Sequence, residues 1–119
     1  MTGVQTCALP ICDEDLIAPS HREIGASVTK GVPLDKIAGQ IYARESSPDK
    51  GKSHPCHYGW KPKGVIAPSS TLAGQTVTGT GCAMGFQIQK KDNVVLAFFG
   101  EGATARDRKS TRLNSSHRL

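Results

Sequence analysis

The sequence predicts an α/β fold in which a parallel sheet is flanked by helices. Residues 93–99 (NVVLAFF) form a continuous apolar run, which is typical of a strand buried on both faces of a parallel sheet. A segment rich in small residues, 72–89, lies directly before this run, and two helical patterns lie further upstream. Alternation of helical segments with an apolar strand is the pattern of α/β domains.

Composition limits the chain to one small domain at most. It has 119 residues, of which 37% are hydrophobic. No stretch approaches the roughly 18 apolar residues of a membrane span, so we expect no membrane association. The absence of any run of like charge also argues against an acidic or basic interaction tail as the main function of the chain.

The two ends of the chain do not have the character of a folded protein. Residues 1–12 carry no charge, show no strand or helix period, and lack the basic region of a signal peptide. VQTCALPI within them resembles the translation of a sequencing-adapter oligonucleotide, and DRKSTRLNSSH at 107–117 resembles the translation of the complementary strand. We therefore expect a partial domain at 13–106 between adapter-derived tails at 1–12 and 107–119.

Setting the tails aside changes the charge and cysteine arguments. The formal net charge of +5 falls to +2, because 107–119 contain four basic residues and one acidic residue. That basic segment has no aromatic residues, so we expect no nucleic-acid partner. Cys7 and Cys12 lie in the first tail, and Cys56 and Cys82 alone are too few for a disulfide framework. A reducing compartment fits this usage.

The first helix is predicted from its ends. Residues 13–19 are a short acidic segment, and Ser20 with Glu23 has the Ser-x-x-Glu form of a capping box. A helix is therefore predicted to about Lys30, and Gly31 ends it.

The second helix is predicted to begin at Pro33, where the first turn tolerates a missing amide, and to end near Arg44. Four apolar residues form one stripe along it: Leu34, Ile37, Ala38 and Ile41. Residues 45–70 contain four prolines and no periodic segment, so they are predicted to form a long loop. Loops of this length are usually functional or disordered.

The small-residue segment at 72–89 leaves two interpretations open. Several glycines in one segment imply close approach of the backbone to a neighbour or a ligand. One interpretation is a dinucleotide (NAD(P)) binding module, with 75–78 as a strand, Gly79, Gly81 and Gly85 as the phosphate loop, and Glu101 at the ribose. That strand is short and polar, and the helix after Gly81 is short for a crossover.

The second interpretation starts from the residues that follow the apolar strand. Gly100-Glu101-Gly102 lies at its carboxyl end, which is where open α/β sheets bind ligands. A carboxylate between two glycines can reach a cation while the backbone lies close to a phosphate.

A family resemblance covers nearly all of 13–106. The ordered segments SHREIGA, KGVP, DKGK, HPCHYGW, AGQ, KKDNVV and FFGEGAT resemble the alpha subunit of the thiamine-diphosphate-dependent 2-oxoacid dehydrogenases, of pyruvate, branched-chain or acetoin type. The resemblance implies an incomplete thiamine-diphosphate-binding fold, with thiamine diphosphate and Mg²⁺ as cofactors. It implies oxidative decarboxylation of a 2-oxo acid with acyl transfer to lipoyl, in the cytoplasm of a bacterium or the mitochondrial matrix of a eukaryote. The implied partners are a beta subunit, which supplies the carboxylate that activates the aminopyrimidine, and a lipoyl-bearing acyltransferase.

The resemblance also assigns roles to individual positions. His21 and Arg22 match the pair that contacts the diphosphate, and the Arg fork suits phosphate oxygens. Ser70 and Leu72 match the step that holds the aminopyrimidine and the thiazolium. The remaining matches are Gly100, Glu101 as a magnesium ligand, Gly102 and Ala103 as amide donors to the diphosphate, and His57 as a catalytic residue near the mouth of the site.

Departures from the family pattern limit what this chain can do. The Asn-Asn pair that completes the magnesium site, roughly 25 to 30 residues beyond Gly102, has no counterpart here. The chain alone is therefore expected to bind thiamine diphosphate weakly or not at all and to be inactive. Ser69 and Gln75 match a potassium site of some members, but Gly74 replaces a hydroxyl residue often found there. A nonfunctional gene-prediction fragment with unpaired sheet edges is the remaining alternative.

The other distinctive residues favour packing roles. His54, Cys56 and His57 suggest zinc, but they lack the four-ligand spacing of a structural site, so a loop over the cofactor is favoured. Cys82 is predicted to be a small buried apolar residue. The remaining loop residues, Tyr58, Trp60 and Lys61, are expected to pack the loop and not to form a stacking platform.

Overall fold

The computed structural model describes residues 12–105, and over that range it forms a small α/β unit. Three helices and two strands make up its regular structure in the order β1 (Leu16–Ala18), α1 (Ile24–Thr29), α2 (Leu34–Ile41), α3 (Gly74–Ile88) and β2 (Val95–Ala97). Short 3₁₀ turns lie at Lys61–Lys63 and Glu101–Ala105. Within residues 12–105, no helix combines the length and the apolar character that crossing a membrane requires. Both predicted adapter-derived tails lie almost wholly outside the described residues.

The two strands pair in parallel, which confirms the predicted parallel sheet. Leu16 lies opposite Val95, and Ala18 lies opposite Ala97. The sequence interpretation found β2 but missed β1, which lies in the segment predicted only to be acidic. Three residues between an aspartate and a proline are too few to show an alternating pattern.

The other edge of β1 is covered by the long loop. The amide of Ile17 donates to the carbonyl of Gly64 at 2.9 Å, and the amide of Ile66 donates to the carbonyl of Ile17 at 2.9 Å. Val65 between them forms an isolated parallel bridge with Ile17. The predicted loop at 45–70 is otherwise confirmed, since its only regular element is the short 3₁₀ turn.

The buried carboxylate of Asp15 fixes the start of the strand pairing. This side chain is only 7% exposed. One of its oxygens accepts a hydrogen bond from the amide of Val94, and the other accepts one from the amide of Cys12, both at 2.8 Å. Two amide donors therefore provide hydrogen bonds for both oxygens of this buried carboxylate.

The hydrophobic core joins β1 to the helices through residues of the loop. Its fully buried members are Ile17, Val32, Ile37, Tyr58 and Val65. Trp60 packs partly buried against this cluster, in agreement with the predicted packing role of the loop aromatics. Cys82, by contrast, is half-buried, because the middle of α3 faces partly away from the sheet.

Helix α3 packs directly on the sheet through a glycine. A Cβ atom on Gly79 would lie 3.2 Å from the Cβ of Ala97 and 3.5 Å from Cγ1 of Val95, so this glycine permits the close approach that the sequence predicted. Gly81 and Gly85 have open space where a Cβ would lie. The dinucleotide-binding interpretation is wrong, because the residues it required as a strand, 75–78, lie inside α3.

The start of α1 differs from the prediction. The helix begins at Ile24, and neither Ser20 nor Glu23 makes the bonds of a capping box, since the N-cap Glu23 forms no side-chain cap. His21 and Arg22 form a turn between β1 and the helix, so Ser20 lies too early in the chain to reach the first helical amides.

All three helices end in the same way, with a residue in the left-handed conformation. Gly31 at φ +94° ends α1, as predicted, with the amide of Val32 bonded to the carbonyl of Ser27. Helix α2 ends at Ile41, earlier than predicted, because Ala43 at φ +50° reverses the chain. Lys90 at φ +56° does the same after α3.

Two apolar surfaces are less buried than the sequence predicted. Of the predicted stripe on α2, Ile37 enters the core, whereas Leu34 is 68% exposed and Ala38 and Ile41 are also exposed. Strand β2 is half-buried and spans three residues of the predicted seven, with Val94 55% exposed at its start. The spacing of apolar residues shows which face of a helix or strand is apolar, but it does not show which part of the chain packs against that face.

A substitution at Gly64 is expected to destabilise the fold. This glycine has φ +66°, and a Cβ there would lie 2.5 Å from the carbonyl oxygen of Asp15, which is backbone of the paired strand. Gly64→Ala should therefore lower the free energy of unfolding by about 2 to 4 kcal/mol. Urea unfolding of the full chain, followed by circular dichroism, measures the change.

Gly81→Ala is the matched control, since that glycine lies in a helix with open space around it. Its unfolding free energy should rise by up to about 1 kcal/mol, because alanine favours a helix interior. Equal unfolding midpoints for the two variants would contradict the strained role of Gly64.

Candidate functional site

A cavity of about 90 Å³ lies at the carboxyl ends of the two parallel strands. The chain leaving β1 contributes Ser20 and His21, and the chain leaving β2 contributes Phe98, Phe99 and Gly100. The third wall is the segment 69–73 that leads into α3. Parallel pairing brings these segments together, because the carboxyl ends of parallel strands meet at one edge of the sheet.

Five of the residues predicted for cofactor binding line this cavity: His21, Ser70, Leu72, Gly100 and Ala103. Three others, Arg22, Glu101 and Gly102, are exposed and lie outside its lining. His57 borders the cavity through Ser70, since its Nε2 lies 2.9 Å from the Ser70 hydroxyl oxygen. The structure therefore groups the predicted residues around one edge of the sheet.

Histidine rings cluster beside the cavity. The centroid of the His21 ring lies 4.8 Å from that of His57 and 4.9 Å from that of His54. Desolvation lowers the pKa of His57, and electrostatic repulsion between its protonated ring and the neighbouring His21 and His54 lowers it further. A neutral imidazole at His57 can exchange a hydrogen bond with the hydroxyl of Ser70.

The buried side chain of Gln75 connects the walls of the cavity through hydrogen bonds. Its side-chain amide donates to the carbonyl of Pro19 at 2.8 Å and to that of Ala67 at 3.1 Å. These bonds connect the first turn of α3 to the end of β1 and to the loop. The family resemblance marked Gln75 as a match to a potassium position. Nothing in the neighbouring sequence indicates that its side chain connects the carbonyls of Pro19 and Ala67.

The amino terminus of α3 faces the cavity. Ala73, in the left-handed conformation at φ +66°, is the N-cap residue, and it lines the cavity with Leu72 and Thr71. The first turn of a helix presents the positive end of its dipole. In α3 the amides of Gly74 and Thr76 already donate to the carbonyls of Thr71 and Ala73, so the dipole is the main contribution of this turn. This wall therefore favours a negatively charged or electron-rich group.

The turn after β2 closes the cavity from the opposite side. Ala103 is buried, and its amide donates to the carbonyl of Gly100 at 2.9 Å. The amide predicted to serve the diphosphate is therefore used within the turn itself. The exposed Glu101 carboxylate lies on the same turn, and its main-chain carbonyl accepts a bond from the Thr104 hydroxyl.

Residues 5–117 match the family model described as dehydrogenase E1 component. The chain belongs to the dehydrogenase E1 component family. This confirms the family that the ordered motifs indicated, and the family uses thiamine diphosphate in general.

The individual relatives that the chain matches are alpha subunits of 2-oxoisovalerate dehydrogenases. The chain is 32% identical over 98 residues to 2-oxoisovalerate dehydrogenase subunit alpha 2, mitochondrial, of Arabidopsis thaliana, covering 82% of this chain and 21% of that protein. It is 33% identical over 98 residues to the human mitochondrial 2-oxoisovalerate dehydrogenase subunit alpha, covering 82% and 22%. The bacterial subunit alpha of Pseudomonas aeruginosa is 31% identical over 109 residues, covering 92% and 27%. The chain thus spans about a quarter or less of the length of these E1 relatives.

Removing the amide of Gln75 is expected to weaken the whole site. Gln75→Leu keeps a similar volume but leaves the carbonyls of Pro19 and Ala67 without this donor. The free energy of unfolding should fall by about 2 kcal/mol or more, since an unsatisfied buried polar group costs about 1 to 3 kcal/mol. Thermal unfolding of the full chain measures the loss.

Gln87→Leu, on the exposed part of the same helix, is the matched control and should change the stability by less than about 0.5 kcal/mol. If both variants unfold at the same temperature, Gln75 does not hold the cavity walls together.

Proposed function

We propose that this chain is the cofactor-binding part of the alpha subunit of a thiamine-diphosphate-dependent 2-oxoacid dehydrogenase. The subunit would carry out oxidative decarboxylation of a 2-oxo acid with acyl transfer to lipoyl. One observation carries the proposal: in a chain of the dehydrogenase E1 component family, five of the eight expected cofactor positions line one cavity at the strand ends.

The residues present fit part of such a cofactor. The cavity combines the polar His21 and Ser70 with the apolar Leu72 and Phe98, and the positive end of α3 faces it. Its 90 Å³ is well below the roughly 300 Å³ of a pocket that encloses a ligand. We therefore propose that the described residues supply one side of a larger site. This agrees with the finding that the chain spans about a quarter or less of the length of its relatives.

Each side of the cofactor is assigned to a different group of residues. His21 and the exposed Arg22 would contact the diphosphate, and the planar guanidinium suits two phosphate oxygens. Ser70 and Leu72 would hold the aminopyrimidine and the thiazolium. Gly100, Gly102 and Ala103 would let the backbone approach closely, with Gly102 as the amide donor because the Ala103 amide is used in its turn. Bound thiamine diphosphate supplies a thiazolium that accepts the electrons released by decarboxylation.

Magnesium is assigned to the turn after β2. The Glu101 carboxylate is exposed at the strand end and would be one oxygen ligand. Magnesium takes six oxygens in near-octahedral geometry, so the diphosphate, water and further protein ligands have to complete its coordination. By the family resemblance, an Asn-Asn pair further along the subunit would supply such ligands.

His57 is proposed to act on the substrate side. It lies beside Ser70 at the cavity edge, and its lowered pKa favours the neutral ring. A neutral imidazole there can hydrogen-bond a substrate carboxylate or carbonyl through one nitrogen while Ser70 holds the other.

The relatives and the family resemblance support a proposal for substrate, partners and location. The matched proteins are named 2-oxoisovalerate dehydrogenases, which favours a branched-chain 2-oxo acid as the substrate. A beta subunit would complete the active site, and a lipoyl-bearing acyltransferase would accept the acyl group. The location would be the bacterial cytoplasm or, in a eukaryote, the mitochondrial matrix.

The genomic DNA around the chain tests whether it is part of such a subunit. Amplification outward from codons 20 to 100 should give a reading frame that continues past Arg106 without DRKSTRLNSSH. It should encode an Asn-Asn pair roughly 25 to 30 residues beyond Gly102. A genome that encodes both tails and a stop codon after Leu119 would refute the proposal.

Arg22 tests the cofactor assignment in that complete subunit together with its beta subunit. Arg22→Ala should raise the dissociation constant for thiamine diphosphate about tenfold to hundredfold, because a charge-assisted hydrogen bond contributes about 1.5 to 3 kcal/mol. Arg22→Lys should recover part of the affinity, since it keeps the charge but loses the planar fork. Isothermal titration calorimetry with Mg²⁺ present measures both.

The exposed Arg44, after α2, provides the control. Arg44→Ala should leave the affinity unchanged. An Arg22→Ala subunit that binds as tightly as the Arg44→Ala subunit would remove Arg22 from the site.

A further inference from the structure

Three potential metal ligands converge beside the cavity from distant parts of the chain. His21 lies in the turn after β1, whereas His54 and Cys56 lie in the long loop. One ligand atom from each of the three side chains lies within 4.8 Å of the others. Sequence patterns suggested only the loop residues as zinc ligands. They could not identify His21 as the third ligand, because the fold of the loop, and not a local pattern, brings His54 and Cys56 next to His21.

We propose that His21, His54 and Cys56 form a binding site for a divalent metal ion, and that this ion is zinc. Imidazole nitrogen and thiolate sulfur are both ligands of zinc, and three protein ligands with the fourth position left to water is the arrangement of its catalytic-type sites. Carboxylate-free nitrogen and sulfur ligands do not suit Mg²⁺ or Ca²⁺. This site is separate from the magnesium proposed at Glu101, which lies on the turn after β2. It shares His21 with the proposed diphosphate contacts, so His21 would serve either the zinc ion or the diphosphate at one time.

The spacing of the ligands is close to what zinc requires. Bonds of about 2.0 to 2.3 Å in a tetrahedron hold neighbouring ligand atoms about 3.3 to 3.8 Å apart. The observed limit of 4.8 Å therefore needs a closure of about 1 Å. The ring of His54 is exposed, so it can rotate toward the other two ligands. That rotation breaks the 3.3 Å hydrogen bond from the Cys56 amide to His54 Nδ1, which is solvent-exposed and costs little to lose.

The loop that carries two of the ligands is held in place by a buried side chain. Gln40 is fully buried, and its amide nitrogen lies 3.1 Å from the Ser53 hydroxyl and 3.3 Å from the His54 carbonyl. The amide of His57 also donates to the His54 carbonyl at 2.8 Å, which closes a tight turn around Cys56. Backbone bonds that fix ligands before the ion binds reduce the ordering cost of binding.

Access and charge also suit a metal ion. His54 is exposed, and His21 and Cys56 are half-buried, so an ion can reach the ligands from solvent. Binding deprotonates the Cys56 thiol and releases one proton to the buffer. The thiolate then offsets one of the two positive charges of the ion.

The purified full chain, titrated with Co²⁺ as a spectroscopic probe and then with Zn²⁺, tests the site. Co²⁺ should give the absorption of a thiolate-to-metal charge transfer with one ion per chain, and Zn²⁺ should displace it. Cys56→Ser should abolish the charge-transfer band, and His54→Ala should weaken Zn²⁺ binding by at least about tenfold, since even outer partners of a ligand cost that much. Cys82→Ser is the matched control and should keep the band, because Cys82 lies in α3.

A second measurement removes any dependence on how the variants fold. In the unsubstituted chain, Zn²⁺ should protect Cys56 from alkylation by iodoacetamide and leave Cys82 unprotected, as read by mass spectrometry of the peptides. Equal alkylation of Cys56 with and without Zn²⁺ would overturn the proposal, as would a charge-transfer band that survives in Cys56→Ser. Neither readout depends on thiamine diphosphate, so failure here leaves the proposed function untouched.

Discussion

The structure depends on the parallel pairing of two three-residue strands from opposite ends of the described chain. The pairing is set by Asp15, whose buried carboxylate binds the amide of Val94, and it continues in register to Ala18 and Ala97. A shift of one residue would remove both the carboxylate bond and the alignment of the apolar faces. The turn after β1 and the turn after β2 meet at one edge only in this register.

Helix α3 converts that edge into a cavity. Gly79 lets the helix lie close to β2, and buried Gln75 connects its first turn to Pro19 and Ala67. The amino terminus of the helix consequently faces the strand ends. One glycine and one amide therefore build the site: Gly79 lets the helix approach β2, and Gln75, which also lines the cavity, joins its walls.

Features that depend on neighbouring residues were predicted from the sequence. Features that depend on pairing between distant segments were missed. The apolar run at 93–99 and the glycine at Gly31 carry their signals in neighbouring residues, so β2 and the end of α1 were predictable. Strand β1 has no pattern of its own, because its identity comes from a partner far along the chain. Five of the cavity residues had been assigned to a cofactor through the family resemblance, which can reflect spatial proximity that spacing along the chain does not. The proximity of His21 to His54 depends on the path of the loop, so no local pattern could reveal it.

The separation of Asp15 from Val94 has a consequence for biosynthesis. The two residues that start the sheet are 79 positions apart. A ribosome that adds about 5 to 20 residues per second needs roughly 4 to 16 s to produce the second after the first. Throughout that interval the nascent β1 segment has no β2 to pair with, and α3 (Gly74–Ile88) is complete only near its end. Its brevity, and the aspartate and proline that flank it, make it a poor template for pairing with other chains while it waits.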